Sequence, residues 1–187
     1  MPSLTNLLPR IAPTLRLTTS ALYERQRALV RMKLLPTPEG RGRGSGAEAT
    51  ADTVAMLMVS VLATDSLSET ELYVQALAKS AYLDLEKGKI STCPFTATQI
   101  FVEAVACTLA VEKLAKFRPS IVVSRDTLSS RIEWHRSRRI EVSYFGSPPG
   151  VNSEYIDREI RLSFPALLTI KNELRASLSQ APIGVDK

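Results

Sequence analysis

Leu15 to Thr50, reading LRLTTSALYERQRALVRMKLLP and continuing as TPEGRGRGSG and AEAT, is the stretch that decides the fold. Thr18, Thr19 and Ser20 have side-chain oxygens that accept from the free amides of a helix start, so one of them is expected to cap a helix beginning near Ala21. Within that helix Leu22, Leu29 and Met32, with Val30 beside them, fall on one apolar face, while Tyr23, Arg25, Gln26, Arg27 and Arg31 occupy much of the rest. One side suits a core and the other an anionic partner. Pro36 and Pro38 stop the helix, because proline lacks an amide donor and restricts the residue before it. Beyond them Gly40, Gly42, Gly44 and Gly46 alternate with Arg41, Arg43 and Ser45, a backbone free to turn that carries two guanidinium groups suited to a phosphate backbone or a minor groove.

An arginine-bearing helix that ends in LVRMKLLP and runs straight into a glycine-arginine loop resembles the winged helix-turn-helix of bacterial and phage DNA-binding proteins. ALYER before the LLP, and a helix from Thr53 to Ala63 after the loop, are similar to the MerR group, with Lys33 standing where glycine is usual. The resemblance covers about the first third of the chain, and it implies a regulator whose partner is double-stranded DNA.

Charge is concentrated in the same segment. The 187-residue chain carries a formal +5, and residues 1–46 hold eight basic against two acidic side chains, a net of +6. The remaining residues therefore sum to −1, and attraction to phosphate belongs to the N-terminal stretch. A hydrophobic content of 44% is ordinary for a chain that buries a core. Cys93 and Cys107 sit in apolar surroundings with no His or Cys at metal spacing, and read as reduced core residues. The longest apolar run, Val54 to Ala63, is far short of the ~20 residues of a membrane helix, and no signal peptide is evident, so a cytoplasmic protein is expected.

Along the chain, Leu4, Leu7, Leu8, Ile11 and Leu15 predict one or two short helices limited by Pro9 and Pro13, with Ile11-Ala12 packed under the arginine-bearing helix. Thr50 and Asp52 suit the start of a helix whose Val54, Leu57, Met58, Val61 and Leu62 place it centrally. Ser68 with Glu71, and Thr96 with Gln99, form capping-box patterns before helices that run on to Leu85 and to Phe117. From Pro119 the period changes: Ile121 to Val123, Ser130 to Trp134, Arg139 to Tyr144 and Ile160 to Phe164 read as strands, before a helix from about Pro165 to Leu178. Alternation sets Ile132, Trp134, Ile140, Val142 and Tyr144 on one apolar face. A basic turn, His135 to Arg138, joins the two middle strands within a basic hairpin running from Arg131 to Arg139.

Chemistry has little to work with. His135 is the one histidine, with no Ser, Cys or carboxylate at a recognisable catalytic spacing. Gly42, Gly44 and Ala47 satisfy G-x-G-x-x-A in form, but two prolines replace the strand that fingerprint requires. No catalytic residue, no metal site, no cofactor and no enzymatic activity are expected.

The expectation is thus an α+β, mainly helical fold: an N-terminal winged helix-turn-helix over residues 1–50, a helical middle over 51–118, a small C-terminal antiparallel sheet with a closing helix over 119–180, and a tail over 181–187. The expected function is sequence-specific binding of double-stranded DNA as a homodimeric transcriptional regulator, with Tyr23, Gln26 and Arg27 reading base edges. Arg25, Arg31, Arg41 and Arg43 would hold phosphates, with Thr18, Thr19, Ser20 and Ser45 beside them. The alternative is a component of phage DNA packaging, of the small terminase kind, which subunit count separates from a dimeric regulator.

Overall fold

Six α-helices alternate unevenly with six strands in a computed structural model that describes residues 2–36, 47–146 and 158–180. The helices are α1 (Leu4–Ile11), α2 (Thr19–Arg31), α3 (Ala51–Ala63), α4 (Thr70–Ala78), α5 (Phe101–Ala110) and α6 (Phe164–Ser179). The strands are β1 (Tyr82–Asp84), β2 (Lys89–Ile90), β3 (Ser120–Ser124), β4 (Ser129–Arg136), β5 (Arg139–Phe145) and β6 (Glu159–Leu162), in the antiparallel order β2-β1-β5-β4-β3-β6. One hydrophobic cluster runs from Leu4 through Leu174.

The winged helix-turn-helix architecture expected at the N-terminus is not the fold found. A wing needs Leu34–Leu35 to pair with the chain after the loop, yet Ser3 bridges Glu48, Leu4 N donates to Ala47 O at 2.7 Å, and Ala49 N donates to Pro2 O at 2.9 Å. Leu34 and Leu35 instead turn back over the end of α2, their amides reaching Leu29 O. The sheet is neither small nor confined to the C-terminus, because β1 and β2 enter it from the middle of the chain. The helix expected through Leu85 ends at Ala78, and Tyr82 pairs with Phe145. Neither predicted capping box in this region forms: Ser68 Oγ lies 2.7 Å from Ser66 Oγ, Thr96 Oγ1 lies 2.8 Å from Thr98 Oγ1, and α4 and α5 start without side-chain caps. After Ala110 the chain makes an extended residue, Val111, and then a 3-10 helix at Glu112–Phe117.

Helix α3 is the centre of the helical layer, as its composition predicts. Thr50 and Thr53 cap its start reciprocally, and it packs against α2, α4, α5 and β3. Its far end carries the carbonyls that no helical amide can reach. Arg25, from α2, donates to Ser60 O at 2.9 Å, Thr64 O at 2.7 Å and Asp65 O at 3.1 Å. Arg125, just past β3, donates to Leu62 O at 3.0 Å and Val61 O at 3.2 Å and is forked against the Asp65 carboxylate. That hydrogen bonding holds the Asp65 carboxyl below the usual carboxylate range. Lys171 of α6 does the same service for α5, donating to Thr108 O at 3.3 Å and Val111 O at 2.9 Å while almost wholly buried.

The two sheet faces differ. Trp134 pairs with Glu141 and Ile132 with Ser143, so the core face of β5 carries Ser143 and Phe145, and the expected grouping of Ile140, Val142 and Tyr144 with Trp134 is reversed. Trp134 Nε1 donates to Ser143 Oγ at 2.9 Å, and Cys93 Sγ lies 3.3 Å from the same hydroxyl. On the opposite face Glu133 accepts from Arg131 at 3.0 Å and from both terminal nitrogens of Arg161, at 2.5 and 3.1 Å, while Arg131 also forks onto Glu159 at 2.5 and 2.9 Å.

Two measurements check these contacts. Arg25→Met leaves buried carbonyls unpaired and should cost about 2 to 3 kcal/mol in urea unfolding, with Arg25→Lys recovering only part because one ammonium cannot span three carbonyls. The arginines hold Glu133 and Glu159 below their ordinary value of 4.5, Arg161 acting chiefly on the first and Arg131 on the second. Their stabilisation is therefore complete above about pH 4.5 and is lost as pH falls through the lowered folded values. The urea midpoint should fall in that acid window, and fall less for Glu133→Gln.

Candidate nucleic-acid interface

Helix α2 begins and ends by chemistry local to its sequence. Thr18 Oγ1 accepts from Ala21 N at 3.2 Å and lies 3.0 Å from Ser20 Oγ. At the other end Lys33, at φ 58°, takes the left-handed position, with Lys33 N donating to Val30 O and Leu34 N to Leu29 O. That paired closure normally takes glycine, because a Cβ is strained there. Arg16, in the turn before the helix, is left-handed as well, at φ 56°.

The inner side of α2 presents Leu22, Arg25, Gln26, Ala28 and Leu29 to α1 and α3. Ser20, Tyr23, Arg27 and Arg31 lie on the outer side at successive spacings of three, four and four residues, one stripe along the helix, and all four are exposed. Arg16 and Lys33 extend the stripe at its two ends, both exposed. Arg27 pairs with Glu24 at 3.1 Å across one helical turn, an exposed pair of the kind worth well under ~1 kcal/mol and easily exchanged for another anion. Arg16, Arg31 and Lys33 have no ion-pair partner among the described residues. Arg10 is withdrawn from the surface field by Glu173 of α6, at 2.5 Å.

Each residue expected to meet DNA now has a place. Arg25, only 4% exposed, is committed to the end of α3 and is corrected from phosphate ligand to structural clamp. Gln26, 5% exposed, donates to Thr5 Oγ1 of α1 at 3.2 Å and cannot reach a base edge. The cause is the same for both: the helix packs on two sides, and its buried arc is wider than its apolar residues indicate. Thr18, Thr19 and Ser20 are exposed at the helix start, with Thr18 occupied as the cap. Tyr23, 42% exposed, and Arg27 and Arg31 remain on the open side. Arg41, Arg43 and Ser45 lie outside the described residues. Arg16 and Lys33 are not among the residues that the sequence leads one to expect at DNA, Lys33 being marked there only as standing where glycine is usual. Their signal is a long basic side chain at a helix boundary where glycine is the unstrained choice.

Two other places were candidates for chemistry. Ser120 Oγ, His135 Nε2 and a Glu133 oxygen come together at 3.5 and 3.9 Å, but both neighbours face the same ring nitrogen and Glu133 already serves two arginines, which is not the geometry of a proton relay. A cleft of about 310 Å³ lies beside Arg125; Arg125 is paired with Asp65 and Arg158 with Asp126, and the cleft's remaining charged wall residue, Glu69, accepts from Thr64 Oγ1. Among the described residues no group of His, Cys, Asp or Glu side chains is gathered to hold a metal, and no helix is long and apolar enough to cross a membrane. Comparison of the chain with protein-family models, with curated proteins and with solved structures gives no match.

Proposed function

We propose that this protein binds double-stranded DNA through the outer face of α2 and acts as a homodimeric transcriptional regulator. The observation that carries the reading is the exposed stripe Ser20, Tyr23, Arg27 and Arg31 bracketed by Arg16 and Lys33, two cations held in left-handed backbone. Left-handed backbone costs a residue with a Cβ about 1 to 2 kcal/mol, and residual strain of that kind concentrates where a side chain is used.

A single exposed helix matches the width of the major groove, and the reading requires no wing. Tyr23 and Arg27 are the base-edge candidates, with arginine suited to guanine O6 and N7, and Ser20 is close enough along the stripe to join them. Arg16, Arg31 and Lys33 are the phosphate contacts, fixing orientation without reading sequence. One helix of 13 residues offers a small footprint, and pairing of two copies over neighbouring half-sites supplies the rest.

Selection from a random duplex pool should enrich a palindrome with half-sites about one helical turn apart. Arg27→Ala should cost about 1 to 3 kcal/mol on the selected site and relax discrimination there. Lys33→Gly separates function from folding: it should leave the thermal midpoint unchanged or higher, by relief of the left-handed strain, while weakening all duplexes alike and lowering the salt slope by about 1. Binding that none of these changes alters would refute the assignment to α2, and a stoichiometry well above two would favour an assembly component over a regulator.

A further inference from the structure

We infer that the β4–β5 hairpin tip and the 3-10 helix Glu112–Phe117 together form a second phosphodiester-binding patch, separate from α2. Two segments far apart in sequence bring their cations to one ring: Lys116 Nζ lies 4.9 Å from the centroid of Phe117, and the Arg136 guanidinium lies 4.8 Å from it. Arg136 also covers Phe95 at 5.5 Å, and Phe95 is stacked on Trp134 at 4.5 Å, so the guanidinium rests on an aromatic base while its side chain stays half exposed.

The charges around this point are cancelled only in part, by Glu141 beside Arg136. Arg136 and Arg139 are direct cross-strand partners, a like-charge placement that destabilises a ladder unless an anion lies between them. Arg138 sits in the turn beside them, and all three are exposed. In the 3-10 helix, Lys113 and Lys116 are three residues apart, which in that geometry aligns them on one side. Arg118 ends the helix at φ 43°, a third basic residue in left-handed backbone, with its guanidinium 5.7 Å from the Phe164 ring. Lys113, Lys116, Arg118, Arg138 and Arg139 have no ion-pair partner among the described residues, and Arg136 has only the half-exposed Glu141 at 3.2 Å.

Phosphate is the chemistry that this arrangement recognises. Arginine's planar fork meets a phosphate with two N–H bonds, and a guanidinium already seated on rings loses little freedom in doing so. Several exposed cations contributed by the hairpin tip and by the 3-10 helix, two of them meeting over Phe117, suit the repeated phosphates of a nucleic-acid strand more than one isolated anion. Basic side chains combined with aromatic ones are the arrangement of single-strand-binding grooves.

The test is fluorescence anisotropy with a labelled duplex and a labelled single strand, each of mixed sequence, over a salt titration. Lys116→Ser/Arg138→Ser/Arg139→Ser should weaken binding to at least one probe by about tenfold or more and reduce the salt slope by about 2 to 3, with the circular dichroism spectrum and thermal midpoint retained. Arg138→Lys/Arg139→Lys should keep the salt slope and lose part of the affinity, a split that a merely structural role would not give. Affinity within about twofold of wild type on both probes would overturn the proposal, as would preferential binding of wild type to phosphatidylserine vesicles over either nucleic acid. The α2 variants, measured in parallel, keep the two readings apart: loss with the patch variants alone sinks the α2 assignment, and loss with the α2 variants alone sinks this one.

Discussion

The end of α3 is where the molecule is held together. A helix terminus buried in a protein leaves carbonyls that must be met, and it carries partial negative charge that favours a cation. Arg25 and Arg125 meet five backbone oxygens at and just past that end between them, one guanidinium arriving from the N-terminal helices and the other from the sheet. Planar, five-donor guanidinium is the side chain that can span several carbonyls at once. The helical layer and the sheet are thus joined at a polar point inside an otherwise apolar contact, which fixes their relative placement more sharply than greasy packing alone. Lys171 repeats the device at the end of α5 with fewer donors.

From that clamp follows a division of the protein's cations into those that the fold consumes and those that it leaves open. Arg25 and Lys171 are buried, Arg10 is paired to α6, and Arg131 and Arg161 are locked with Glu133 and Glu159 into a nearly neutral lattice on one sheet face. Among the described residues the arginines left without an ion pair lie along α2 and around the hairpin tip with its neighbouring 3-10 helix. Two of them, Arg16 and Arg118, occupy left-handed backbone where glycine would be cheaper, as does Lys33. Net charge alone conceals this, because paired and unpaired arginines count equally in it.

The aromatic cluster beneath the hairpin is built by register. Because Arg136 pairs with Arg139, even-numbered residues of β4 share a face with odd-numbered residues of β5, and Trp134 falls opposite Glu141. Trp134 then takes its ring neighbours from Phe95 and Phe117 instead of Tyr144, and satisfies its indole N–H on Ser143. Of the two phenyl rings, Phe117 is the one that Arg136 and Lys116 share.

What the sequence by itself determined is local. Thr18 and Thr50 cap the helices that their hydroxyls announce, α3 is central because it is apolar nearly all round, and the strands at 121, 130, 139 and 160 follow from β-branched and aromatic runs between turns. These are effects of neighbouring residues, and a linear reading contains them. The pairing of two adjacent strands was also in reach, since an even-residue turn forbids the grouping of Trp134 with Tyr144 that alternation alone suggests. Other features belonged to the tertiary structure. Arg25 and Gln26 look like an exposed polar face until α3 and α1 close over them. Tyr82 to Ile90 forms strands only because β5 offers an edge, and residues 47–49 pair with the chain start rather than with Leu34 and Leu35. In each of these cases the partner lies tens of residues away or at the opposite end of a domain, and burial and hydrogen-bond supply are properties of that partner, not of the segment itself.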